Sequence, residues 1–131
     1  MRSSVQYHRL LRSLLTCIQQ AVGPRLFPRR AVWPTTLALI EAVNNAICHA
    51  HRGMTSLPIV LNIKLSARKI VMEVKDQGRG IPKEKLKHLH LVKPEAMHGR
   101  GLWLIHHEMD RVISKRNNNG HSLIMTWAKE K

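Results

Sequence analysis

Three short segments carry residue types that could do chemistry together. The first is Glu41-Ala42-Val43-Asn44-Asn45-Ala46-Ile47-Cys48-His49-Ala50. On a helix, Glu41 and Asn45 share a face, and His49 follows one turn later. A carboxylate and an amide on one stripe suit a general base beside a magnesium ligand. Mg²⁺ takes hard oxygen donors and keeps several waters, so one Asn oxygen plus nucleotide phosphates makes a workable shell. The second is Val74-Lys75-Asp76-Gln77-Gly78-Arg79-Gly80-Ile81-Pro82. A strand delivers Asp76 to its end, where two glycines let the backbone come close to a ligand. There Asp76 could accept a hydrogen bond from an adenine amino group. The third is His98-Gly99-Arg100-Gly101-Leu102-Trp103-Leu104-Ile105. Gly-x-Gly running into an apolar helix presents free N–H groups and a positive helix end, which favour a phosphate.

Taken singly, each segment also reads as something ordinary: a solvated helix face, a common turn and a weak glycine pair. Their order and spacing are more specific. Glu41-x-x-x-Asn45, then Asp76-x-Gly78-x-Gly80-Ile81-Pro82, then Gly99-x-Gly101-Leu102 resembles the N box and glycine boxes of the GHKL ATPase superfamily (gyrase, MutL, sensor histidine kinases). The nearest resemblance is to the bacterial anti-sigma factor serine kinases. It rests on Glu41-Ala42-Val43-x-Asn45-Ala46-Ile47-x-His49, on Lys93-Pro94-Glu95 in the phosphate lid, and on the short interval from Gly80 to Gly99. It covers about residues 34–128.

This resemblance implies the Bergerat fold, an α+β two-layer sandwich with a mixed, mainly antiparallel sheet. It implies ATP and Mg²⁺ as cofactors. Glu41 would be the general base, and Asn45 would hold Mg²⁺. Asp76 would read adenine, with Gly78, Gly80 and Ile81 shaping its loop. Gly99, Arg100, Gly101 and Leu102 would close on the phosphates with Lys93, and His49 would lie near the ligand. Ser122 would be the hydroxyl supporting the adenine pocket. Implied partners are a sigma factor and a phosphorylated antagonist protein, in a cytoplasmic homodimer. One departure bears on activity: Met97-His98 stands where the kinases carry Arg-Ser before the lid glycines. That keeps two alternatives in play, an ATP-dependent interaction module without kinase activity and a detached histidine-kinase-type catalytic domain.

Elements must hold these residues in place. Apolar positions at Tyr7, Leu10, Leu11, Leu14, Leu15, Ile18 and Val22 predict an amphipathic helix over 4–22, stopped by Gly23-Pro24. Pro34-Thr35-Thr36 predicts the opening of a second helix, running to about Arg52, after a basic loop from Arg25 to Val32. Ile40, Val43 and Ile47 would face the sheet. Strands are expected at 59–65, 70–75, 111–115 and 122–128, the last two joined by Asn117-Asn118-Asn119-Gly120. Short helices are expected at 83–88 and from Gly99 to about Met109. Trp103 and Leu104 read as core, Trp33 as a staple at a helix start, and Trp127 as a half-buried strand residue.

The chain has 131 residues with 44% hydrophobic content, which suits one domain. With the resemblance, that implies a single ATP-binding unit over 1–131: a basic helix and loop over 1–30, then the ATPase core over 34–128. The composition excludes wholesale disorder. No apolar run reaches the roughly 18 to 20 residues of a membrane span, so no membrane role is expected. Cys17 and Cys48 read as reduced small hydrophobes. Nine histidines show no zinc-type spacing. The net charge of +14 is high; residues 1–40 hold six arginines and no acid. Such charge suits nucleic acid, or steered association with an acidic protein surface.

Overall fold

The computed structural model describes residues 2–50, 58–78, 100–118 and 120–130. Helix α1 spans Arg2–Val22 and ends at Gly23, whose φ of 84° supplies the left-handed turn that stops a helix. Helix α2 spans Arg29–Asn45 and passes into a π turn, Ala46–Ala50. Four strands follow the helices: β1 (Val60–Leu65), β2 (Lys69–Asp76), β3 (Arg111–Asn117) and β4 (Gly120–Ala128), with α3 (Arg100–Glu108) between β2 and β3. The sheet order is β1-β2-β4-β3, and each of the three pairings is antiparallel. The expected α+β two-layer architecture is present, and the strand pairing described is wholly antiparallel rather than mixed.

The alternation of side chains along each strand divides the sheet into two faces. Ile70, Met72 and Val74 on β2 and Leu123, Met125 and Trp127 on β4 point to the helical layer and are buried. Val71, Glu73 and Lys75 and their partners Thr126, Ile124 and Ser122 lie on the other face. Helix α2 is the centre of the helical layer. It packs on β2 and β4 and is flanked by α1 and α3. Its inward side is Ala38, Leu39, Ile40, Ala42 and Val43, continued by Ala46 and Ile47 in the π turn. The expected orientation of Ile40, Val43 and Ile47 therefore holds.

Helix α2 starts five residues before Pro34, so the region read as a basic loop is partly helical. Proline inside a helix removes one backbone donor and normally breaks it. Here tertiary contacts outweigh that cost. Phe27 and Ala31 are fully buried. Arg30 donates to the Lys129 carbonyl at 2.7 Å, and its guanidinium lies 5.4 Å from the centre of the Trp127 ring. Trp33 is consequently on the helix exterior, 61% exposed, and staples nothing. Trp127 is more buried than expected. On α3 the core residues are Leu102 and Ile105, while Trp103 stacks on His107 at 4.6 Å. Cys17 is exposed and Cys48 half-buried, and both are free thiols. The short helix expected at 83–88 and the end of the second helix near Arg52 lie outside the described residues.

Leu39 is fully buried at the middle of this layer. Leu39→Ala is expected to cost about 2 to 5 kcal/mol, by lost transfer energy plus the cavity left behind. A urea titration reads this as a lower midpoint at unchanged slope.

Candidate functional site

The candidate residues lie on α2, on the π turn that continues it, and at the end of β2. Glu41 and Asn45 are one helical turn apart on the half-buried side of α2, and His49 lies in the π turn that continues it. That π turn packs against β2, the strand that ends at Asp76. Inward apolar residues thus anchor the helix, and the polar pair is carried on its flank.

Burial pushes the Glu41 carboxyl above the ordinary carboxylate range, and nearby His8 draws it partly back. His8 comes from α1, where its Nε2 sits 3.3 Å from the Asn44 amide nitrogen. The first helix therefore reaches the site, which its sequence did not announce. A Glu whose proton is held more tightly in the fold favours the folded state at acid pH. That contribution disappears as the pH rises through its folded value.

Asn45 has its amide nitrogen shielded from water with no hydrogen-bond partner. A buried polar atom left unmet costs stability unless a ligand completes it. An acceptor such as a phosphate oxygen would do so, and the oxygen of the same amide is a hard donor suited to Mg²⁺. Among the described residues no cluster of three or more His, Cys, Asp or Glu could hold a metal on its own. One amide oxygen fits a Mg²⁺ that takes its other ligands from a nucleotide and water.

Asp76 is buried at the end of β2 on the helical face. Its Oδ1 accepts the Gly78 N–H at 2.8 Å, a turn that fixes the carboxylate as the chain leaves the strand. Its Oδ2 lies 3.3 Å from Nδ1 of His121. The strand register places His121 directly across from Asp76. Ser122, expected at that position, is one residue further on and faces the opposite side of the sheet. There it hydrogen-bonds Glu73, whose carboxyl is pushed up by burial but brought below its usual range by Asn62, Ser122, Lys75 and Lys64. A one-residue offset in a strand exchanges faces, and this one separates Ser122 from the aspartate. The available signal was the alternation of His121 with Leu123, Met125 and Trp127.

Arg100 and Gly101 open α3, whose first turn holds no acidic residue, and Leu102 packs into the core behind them. Gly80, Ile81, Lys93, Gly99 and the Met97-His98 pair lie outside the described residues. No described helix is long and apolar enough to cross a membrane.

A family model for the histidine kinase-like ATPase domain matches residues 2–127. The chain belongs to the histidine kinase-like ATPase domain family. The match starts at the first residue of α1, so the family region takes in the first helix as well as residues 34–127. Among solved structures, the histidine kinase domain of the blue-light activated histidine kinase from Erythrobacter litoralis EL346 is similar at a TM-score of 0.57 and 17% identity, over 89% of this chain and 60% of that one. A longer structure of that kinase is similar at a TM-score of 0.55 and 18% identity, over 75% of this chain and 30% of that one. The chain thus spans under two thirds of either. At these identities the likeness concerns the fold. No curated protein matches the chain in sequence. Membership of this ATPase family places the chain in the GHKL superfamily and implies ATP as its nucleotide.

Proposed function

We propose that this histidine kinase-like ATPase domain is a protein serine kinase of the anti-sigma type. It would hold a sigma factor and phosphorylate a serine of an antagonist protein, with residues 1–131 acting as one ATP-binding unit. The observation that carries the reading is the pairing of Glu41 and Asn45 on one flank of α2, with Asp76 buried at the neighbouring strand end. Phosphoryl transfer is mostly positioning and charge neutralisation, so a small set of groups suffices. Asp76 accepts from the adenine amino group. Asn45 would contribute an oxygen to Mg²⁺, and a bound Mg²⁺ would supply charge neutralisation at the phosphates. Glu41 takes the proton of the attacking serine or water, a task helped by a carboxyl more basic than usual. The N–H groups at the start of α3 would serve the phosphates. The net charge of +14 supports steered association with acidic partners.

The resemblance of the fold to a histidine kinase domain supports a second reading, a catalytic domain that phosphorylates histidine. The chemistry of the product separates the two: phosphoserine survives acid and phosphohistidine does not.

The test is phosphate release from Mg-ATP by the Glu41→Gln chain. Turnover is expected to fall about 100-fold or more, the range for loss of a general base, with ATP binding within about threefold of the parent. Thermal stability at neutral pH is expected to hold or rise, because the glutamine no longer forces a charge into a half-buried place. In the parent, turnover should climb with pH through a value above the ordinary glutamate range. Equal turnover in parent and variant would remove Glu41 from the reaction.

A further inference from the structure

The most unusual group of side chains lies behind Asp76. Three adjacent strands, β2, β4 and β3, contribute Asp76, His121 and Ser114 in a continuous line. His121 is only 3% exposed. Its Nδ1 faces Asp76 Oδ2 at 3.3 Å, and its Nε2 is hydrogen-bonded with the Ser114 hydroxyl.

Donor and acceptor chemistry restricts how this line can be wired. A carboxylate offers acceptors only, and Asp76 already takes the Gly78 N–H on Oδ1. The hydrogen between His121 and Asp76 must therefore sit on Nδ1. A neutral ring then presents a lone pair at Nε2, and the Ser114 hydroxyl donates to it. Both oxygens of Asp76 thus receive one fixed donor, from two different elements. The carboxylate cannot rotate without breaking a bond at each end. Its remaining lone pairs keep one direction, and they admit only a donor.

We propose that His121, held at its far nitrogen by Ser114, is the positioning residue that makes Asp76 a fixed acceptor and so selects a purine carrying an amino group over one carrying an oxo group at the same edge. This rests on the ATP reading above and adds residues to it. A purine amino group finds a pre-aimed acceptor. A 6-oxo purine sets oxygen against oxygen, and a rigid carboxylate cannot turn aside to relieve it. A freely rotating carboxylate would hold both ligands less selectively.

The experiment is calorimetric titration of the full chain with Mg-ATP and with Mg-GTP, for the parent, His121→Leu, His121→Asn, Ser114→Ala and Asp76→Asn, each checked for folding by circular dichroism. His121→Leu is expected to weaken ATP about tenfold and to shrink the ATP-over-GTP preference by a similar factor. His121→Asn, whose amide N–H falls where Nδ1–H was, should recover ATP binding to within about threefold. Ser114→Ala should lie between them. A merely space-filling histidine would show the reverse order, with leucine the better substitute. Unchanged affinity and preference in His121→Leu, alongside loss in Asp76→Asn, would overturn the role of His121 while leaving the ATP reading intact. Failure of the parent to bind ATP would overturn both. A second readout needs no nucleotide and no stable variant. The ¹⁵N shifts of the His121 ring in the free parent should report hydrogen on Nδ1, and hydrogen on Nε2 alone would overturn the wiring.

Discussion

Asp76→Asn is expected to weaken Mg-ATP binding about 100-fold or more in calorimetric titration. The carboxylate accepts at both oxygens, from Gly78 at 2.8 Å and from His121 at 3.3 Å. An asparagine has one oxygen and one NH₂. With its oxygen on the Gly78 N–H, its NH₂ faces the His121 ring, which must give up the Nδ1 hydrogen and carry it on Nε2 instead; turned the other way, the NH₂ meets the Gly78 N–H. The third donor, the adenine amino group, loses the charged acceptor it would have used. The penalty is therefore larger than one neutral hydrogen bond, because charge-assisted bonds are about twice as strong and the site is buried. A change of less than about threefold would mean that Asp76 does not read the base.

Gly120→Ala is expected to damage fold and site together. Gly120 opens β4 with φ at 152° and lies against the chain just after β2. A Cβ there would overlap the backbone carbonyl oxygen of Asp76 and stand 2.8 Å from the Cα of Gln77. Backbone atoms cannot swing aside as a side chain does. Either the β3–β4 turn or the Asp76 strand end must move. Overpacking and a strained φ together cost about 2 to 4 kcal/mol. For a chain of this size that lowers the melting temperature by roughly 10 °C. Because the displaced carbonyl belongs to Asp76, ATP affinity should fall in parallel. Substitution at Gly23 is the control: its φ is 84°, but a Cβ there meets nothing within 4 Å. Gly23→Ala should therefore destabilise through the backbone alone and leave ATP binding unchanged. An unaltered melting temperature in Gly120→Ala would show that the close approach is not needed.

Much of the architecture was legible in the chain. Strong periodicity announced α1 and the inward face of α2, and alternation announced the strands. The order of Glu41, Asn45, Asp76 and the glycines points to the GHKL superfamily, to which the chain belongs. Where the reading missed, long-range contacts had overridden a local signal. Pro34 looks like a helix start because nothing local shows that Phe27 and Ala31 are buried or that Arg30 is held by the far end of the chain. Ser122 fits the resemblance as a hydroxyl, whereas the register of a hairpin decides which neighbour shares a face with Asp76, and that is His121. His8 carries no local signal because its significance lies across the α1–α2 contact, 36 residues from Asn44 in the chain.

The outer strands of the described sheet put the excess charge in another light. Strand β3 borders it on one side with exposed Arg111, Lys115 and Arg116, and β1 borders it on the other with exposed Lys64. An open strand edge invites another chain to pair with it, and charge is the usual deterrent. Like-charged borders repel each other across the distance over which salt leaves them unscreened. Part of the positive surplus thus acts as a spacer that keeps copies of this sheet from zipping together. Its strength is set by the ionic strength of the surroundings rather than by any partner.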